Sequence, residues 1–410
     1  MRGLGCERRC EKTTSKTNIE TDHAISRLPL TDISVGSRFH AYDLARELQL
    51  RGSLGSLHTG YPSFAARRFG LDDPKVHSIA AYEVMNRILG MAARKGIGGP
   101  RTAQRLSDWF DVRVARRLRP GANIFIGWSS QCFRSLARAK QLGMVTIVER
   151  GSSHIEWQRD ILAEEQRLTG VASNGPDPST VAAELAEYAA ADFIAVPTQF
   201  TVDTFVQRGV PREKLLVNPY GVDLQRFAPP AENRPAATDR ISVLHCGQVS
   251  VRKGAHYLAE AVQRVPGAEL RFVGAVHPSV KPLVRKPRVE LCGPVSGEAM
   301  PAQYAAADVF CLLSIEEGLA MVLAQAMASG LPVIATPSTG AGEFITDGVE
   351  GFLVPARDPA AAAEKIGWLM RHPAERLAMG RRARERVCRG YSWSDYGDRA
   401  LANYDKILRR

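Results

Sequence analysis

Twice along this 410-residue chain, short β-branched runs alternate with longer helical patterns, and a stretch with three prolines separates the two series. The first series has strand-like runs at 32–35, 124–126, 145–148 and 193–196. The second has them at 241–245, 270–273, 289–292, 309–313, 332–336 and 351–354. Strands that alternate with helices form parallel sheets covered on both faces. Two such series predict two doubly wound α/β domains. Ligands of open α/β sheets bind beyond the carboxyl ends of the strands, so the expected site is a cleft between the domains. The boundaries read as an extension at 1–29, a first domain at 30–222, a linker at 223–240, a second domain at 241–391 and a mostly polar helix over 392–410.

Composition narrows the class. Hydrophobic residues make up 45% and charged residues 24%, as in soluble globular proteins. No run of eighteen apolar residues occurs, so no transmembrane helix is expected. The first thirty residues mix both charges with Thr, Ser and Asn and lack the apolar core of a secretory signal, which reads as a disordered extension. Seven cysteines, an odd number with no Cys-x-x-Cys pair, point to buried thiols in a reducing, cytoplasmic setting. The formal charge is +11, and arginines cluster at 113–119 and 381–386. These are solvated helix faces, or they attract anionic lipid at the inner face of a membrane or a phosphate-bearing acceptor. The basic residues are not interleaved with aromatics, so no nucleic acid partner is expected. The absence of a Gly-x-Gly-x-x-Gly run argues against a standard NAD domain.

The segment 314–336 reads as loop, helix, stop and strand. Two acids and a glycine open it, Gly330 stops the helix and Pro332 starts a buried strand. Glu317 stands at the mouth of the helix, where unpaired N–H groups and the dipole favour anions, and Gln325 lies eight residues on, within its body. After the strand at 241–245 comes Cys246-Gly-Gln-Val-Ser-Val-Arg-Lys-Gly254. Its glycines let the chain turn close to a ligand, and Arg252 and Lys253 supply the positive charge that a departing diphosphate needs. In the first half, Glu149-Arg-Gly-Ser-Ser-His154 ends a strand and opens a helix, with Ser152 or Ser153 as its expected cap and His154 projecting near the cleft. Gly36-Ser-Arg-Phe-His40 follows the first strand. Trp128 ends another and is expected to fill the core.

These motifs resemble the acidic signature of retaining glycosyltransferase family 4, a GT-B fold family. Glu317-Gly318 and Ala326-Met-Ala-Ser-Gly-Leu-Pro-Val-Ile334 match its frame, and Gly221-Val-Asp223 with Phe227 matches its interdomain hinge. Lys253 matches the family lysine on the diphosphate. Three positions depart: Gln325 stands for the second glutamate, Ala320 for a glycine, and Gln248 for the arginine, whose role Arg252 is expected to share.

The resemblance implies two Rossmann-like domains facing across a cleft, with the last helix packed back toward the first domain. It also implies a nucleotide-diphosphate sugar as substrate, with no cofactor and no metal, in agreement with the lack of an Asp-x-Asp after a strand. Gln248, Arg252, Lys253, Gly318, Leu319, Ala320 and Gln325 would bind the donor, and Glu317, His154 and Lys253 would serve catalysis. Gly36, Ser37, Arg38 and His40 would face a glycan, lipid-linked or small-molecule acceptor. The two glutamines motivate one alternative, a non-catalytic scaffold in envelope or polysaccharide assembly. A sugar-nucleotide epimerase on the same fold is another.

Overall fold

The computed structural model describes residues 28–409 except 72, 95–98, 174 and 231–238. The extension expected at 1–29 falls almost wholly outside these residues, as do Cys6 and Cys10.

The first sheet contains β1 (Thr31–Val35), β2 (Leu54–Thr59), β3 (Val76–Ser78), β4 (Ile124–Trp128), β5 (Val145–Glu149), β6 (Phe193–Val196) and β7 (Leu215–Val217). Its order is β3-β2-β1-β4-β5-β6-β7, and every pair is parallel. The second contains β8 (Ile241–Cys246), β9 (Ala268–Val273), β10 (Val289–Gly293), β11 (Val309–Leu312), β12 (Val333–Ala335) and β13 (Gly351–Leu353), ordered β10-β9-β8-β11-β12-β13 and again parallel. In each sheet the winding reverses once, between β1 and β4 and between β8 and β11. A crevice opens at such a reversal. Sequence reading overlooks β2, β3 and β7. The first carries Gly55 and polar residues, and the other two are three residues long, so pairing with neighbours rather than local propensity makes them strands.

Local signals set the helix ends that position the site. Thr198 closes a capping box with Thr201 at the helix Gln199–Val206, and Ser392 does so with Asp395 at Trp393–Leu408. The latter helix lies on Ala41–Leu50, where Arg51 bonds Asp398 at 2.8 Å and the Ser394 carbonyl at 2.8 Å. Val222 pairs with Ser392 where the chain crosses back to the first domain. The stretch expected as a linker from 223 exposes Asp223, Gln225 and Arg226 but is anchored to the second domain. Phe227 is buried, and Arg384 donates to the carbonyls of Leu224 and Phe227. One buried apolar cluster runs through Tyr220, Val222 and Phe227 into both domains. Among the described residues, no helix is long and apolar enough to cross a membrane.

Candidate active site

The reversal point of the second sheet is built by backbone before any side chain acts. After β8, Gly247 adopts φ +120° and the turn closes at Gly254 with φ +62°. A Cβ on Gly254 would lie 1.8 Å from the Leu313 carbonyl oxygen, so only glycine lets this turn pass beneath the end of β11. The Ile315 amide donates to the Arg252 carbonyl at 2.8 Å, tying the two loops together. Thr336 and Ser338 hydroxyls both donate to the Ser314 carbonyl at 2.6 Å, fixing the second loop from behind.

This scaffold sets two acids against two cations. Lys253 Nζ pairs with Glu317 Oε1. Arg252 Nε donates to Glu316 Oε2 at 2.7 Å, while its Nη2 stands 3.8 Å from Glu317. Glu317 is mostly buried and Glu316 wholly so. Burial alone would raise the Glu316 pKa, but Arg252, Ser153, Arg150 and Gln158 outweigh it and hold the carboxyl below the usual range. Arg252 is therefore committed to Glu316 and to Ser152 Oγ at 3.3 Å, rather than presented to a phosphate as expected. Gln248 is exposed beyond Gly247.

The helix expected to begin near Gly318 starts at Met321. Gly318 serves a different contact: a Cβ there would lie 2.0 Å from the carbonyl oxygen of Gly151, in the other domain. Its own carbonyl accepts from Thr198 Oγ1 at 3.0 Å. Leu319 and Ala320 are buried, and the Ala320 amide donates to the Thr339 carbonyl at 3.0 Å. Ala320 offers no side-chain cap to the helix Met321–Ala328. Gln325 Oε1 accepts from the Tyr304 hydroxyl at 2.9 Å.

The facing wall differs from expectation at both histidines. His154, rather than Ser152 or Ser153, caps the helix Ile155–Thr169, accepting from the Glu156 amide through Nδ1. Its ring is buried between Tyr188 and Phe205, with centroids 5.3 and 4.9 Å away, so it does not project into the cleft. Burial, with help from Arg150, lowers its pKa to about 4. His40 is buried as well. Its Nε2 lies 2.9 Å from Glu149 Oε1, and its ring packs 3.9 Å from Tyr220 and 5.1 Å from Trp128. Trp128 fills the core as expected. Gly36 is pinched between Gln131 and Tyr82, and its amide donates to Gln131 Oε1 at 2.8 Å. Ser37 is half-buried, and Arg38 is exposed with its guanidinium 4.6 Å over Phe69.

Arg38 and Gln325 nonetheless share one space. A cleft of about 750 Å³ lies between the first domain, the hinge and the helix Met321–Ala328, with Arg38, Arg46, Arg68, Arg226, Gln325 and Trp393 in its lining. That volume suits a nucleotide-sized ligand. Four arginines face two acids there, Asp43 and Asp223, which favours an anion. Among the described residues, no group of three or more His, Cys, Asp or Glu side chains gathers as a metal site would require. Sequence reading passed over Glu149, Arg150, Gln158 and Tyr220, and gave no role to Glu316. The one signal for Glu316 is the Glu-Glu doublet itself.

Residues 240–372 match the family model for glycosyl transferases group 1. A D-inositol 3-phosphate glycosyltransferase of Xylanimonas cellulosilytica is 30% identical over 262 residues, which are 57% of this chain and 62% of that protein. A GDP-mannose-dependent alpha-(1-6)-phosphatidylinositol monomannoside mannosyltransferase of Mycolicibacterium smegmatis is 30% identical over 234 residues, 51% of this chain and 61% of the relative. The chain thus spans less than two thirds of the length of these curated relatives. Among solved structures, sucrose-phosphate synthase from Thermosynechococcus elongatus superposes with a TM-score of 0.66 at 19% identity, covering 93% of this chain and 99% of that one. Anabaena HepE in complex with UDP and glucose superposes with a TM-score of 0.62 at 16% identity, covering 92% and 100%. The second domain is thus similar in sequence to glycosyl transferases group 1, and the two-sheet architecture is the GT-B fold of these solved structures.

Proposed function

We propose that the protein is a retaining, metal-independent glycosyltransferase that moves a sugar from a nucleotide-diphosphate donor to a glycan, lipid-linked or small-molecule acceptor. The observation that carries this reading is the Lys253–Glu317 pair at the reversal point of a domain similar to glycosyl transferases group 1, with Glu317 four residues before Met321 in the lining of the arginine-rich cleft. As the glycosidic bond breaks, negative charge grows on the leaving diphosphate, and Lys253 is the cation left to receive it once Arg252 is engaged by Glu316. The first-turn amides of Met321–Ala328, where Met321 and Val322 are half-buried, add dipole stabilisation. Glu317, relieved of Lys253 by the incoming phosphate, accepts hydrogen bonds from hydroxyls of the transferred sugar. The lysine and the amides supply the charge that a divalent ion would otherwise bring. With Glu317 engaged in binding, the acceptor attacks from the face that the leaving group vacates, and the anomeric configuration is kept.

The test is incubation of the purified protein with a panel of UDP- and GDP-sugars in the presence of EDTA, read by mass spectrometry. Slow release of a nucleoside diphosphate and free sugar from one donor, accelerated by an acceptor extract, is the expected result. Unchanged donors throughout the panel would reject the reading. Conversion of the donor sugar without cleavage would favour an epimerase.

Lipid-linked acceptors would bring the protein to an anionic bilayer. The helix Ala80–Arg94 exposes Val84, Ile88 and Met91 along one stripe, and a groove of about 420 Å³ lined by Arg116, Arg134 and Arg138 presents guanidinium groups elsewhere on the first domain. Co-flotation with phosphatidylglycerol vesicles but not with phosphatidylcholine vesicles is expected, and no flotation with either would exclude this partner.

A further inference from the structure

Glu316 and Glu317 are neighbours in the chain with opposite assignments. Glu317 pairs with Lys253 within the second domain. Glu316 has no exposed surface and four donors. Its Oε1 accepts from the Ser153 amide at 3.1 Å and the Ser153 hydroxyl at 2.6 Å, and its Oε2 accepts from Gln158 Nε2 at 2.7 Å and Arg252 Nε at 2.7 Å. Three of the four donors belong to the first domain. Behind them, Gln158 Oε1 accepts from Arg150, whose Nη1 pairs with the buried Glu184 at 2.9 Å. Alternating charges thus run from the interior of the first domain, through Glu184, Arg150, Glu316 and Arg252, to the catalytic pair of the second.

We propose that Glu316 is a positioning residue that couples closure of the two domains to the placement of Lys253 and Glu317. The coupling follows from desolvation. A buried carboxylate is tolerated only while its donors are present, and parting the domains removes three of them. Arg252, the remaining partner, would then be free to turn toward Glu317 or toward the phosphate, and adjacent Lys253 would lose its fixed direction. With the domains together, Arg252 is held on Glu316 and only Lys253 is available to the leaving group. Two further contacts show that the interface is built for close approach. Gly318 meets Gly151 backbone to backbone. At the far end of the helix Ile155–Thr169, Glu165 is wholly buried and reaches the other way, to His256 at 3.2 Å, Tyr257 at 3.0 Å and Arg357 at 2.7 Å. Each domain thus inserts a wholly buried acid into donors of the other.

This inference rests on the glycosyltransferase reading, and its test separates the two. Glu316→Gln keeps the size of the side chain but sets an amide donor against Arg252 and Gln158. Donor affinity by calorimetry, steady-state turnover and the radius of gyration by X-ray scattering are measured on the full chain. The expected result is a donor Kd within about threefold of wild type, a kcat lowered by about thirtyfold or more, and a larger radius of gyration in the donor complex. A purely structural residue would lower the melting temperature and leave kcat intact in assays run well below it. That outcome, or an unchanged radius of gyration with unchanged kcat, overturns the proposal. Should Glu316→Gln fail to fold, the double variant Ser153→Ala/Gln158→Ala strips the same carboxylate from the opposite side and is expected to show the same split between kcat and Kd. If the wild type cleaves no donor, the enzymatic reading fails. An expanded variant in scattering would even then support the clamp, and an unexpanded one would refute it.

Discussion

The two sheets reverse their winding at equivalent places, yet the two reversal points are built from different materials. That of the first sheet is sealed by side chains: Gln131 and Tyr82 against Gly36, and His40, Trp128 and Tyr220 around Glu149. That of the second is shaped by bare backbone at Gly247 and Gly254 and holds charged groups, Lys253 and Glu317, paired and mostly buried. The same topology therefore yields a wall of packed side chains in one domain and an ion pair on a glycine turn in the other. Topology decides where a crevice forms, and the residues at the strand ends decide whether it holds chemistry.

The sharpest way to break this comparison is to remove charge from each side. Glu317→Gln should lower transfer about 10²–10³-fold in steady-state kinetics, the range for losing one preorganised electrostatic group. His154→Asn, with a side chain that can still cap its helix, should stay within about tenfold. Equal losses would place the chemistry on both walls.

Next in size is a contrast between glycines. Gly254→Ala forces a Cβ into the backbone carbonyl of Leu313 at φ +62° and should cost about 2–3 kcal/mol in denaturant unfolding. Gly36→Ala meets side chains rather than backbone, the end of Gln131 and the buried Tyr82 ring, and should cost less, about 1–2 kcal/mol.

Acid sharpens the contrast further. Burial lowers His58 to about 3 and His154 to about 4 in the first domain, and His245 to about 3 in the second. Each is neutral when folded and protonates more readily when unfolded, below about pH 6.5. Their contribution is thus complete above pH 6.5 and declines as pH falls toward 4, by about 1.4 kcal/mol per pH unit for each histidine. Glu187 of the first domain, raised to about 8 by burial, works in the opposite sense over this range and offsets one histidine there. In Glu187→Gln, with two such histidines against one, the first domain should lose hydrogen-exchange protection faster than the second between pH 6.5 and 4. The reverse order would contradict the assignment. Smallest is Gln325→Ala, expected to weaken donor binding by about 1 kcal/mol in calorimetry, as for one hydrogen-bonding side chain.

How much of this was legible in the sequence follows the same divide. The second domain's edge is spelled in contiguous residues, because glycine turns, adjacent cations and a helix stop leave local marks. Glu317, Lys253 and Gln325 could therefore be placed on loops or a helix. The interface could not. Glu316 meets Ser153 and Gln158 across sequence separations of 163 and 158 residues, and no local pattern announces such a pairing. The same holds for His154. Its position before a helix was readable, but the Tyr188 and Phe205 rings that enclose it arrive from distant helices. Arg252 was assigned to a phosphate because its charge is visible in sequence, whereas the carboxylate that claims it becomes visible only in three dimensions.

The meeting of Gly151 with Gly318 has a geometric consequence of its own. The lobes touch on naked main chain, so the width of the gap beside them is set by the absence of a single carbon. A graded series at Gly318, Ala, then Ser, then Val, would act as a set of shims, prising the halves apart by successive increments and turning the aperture of the protein into an adjustable quantity.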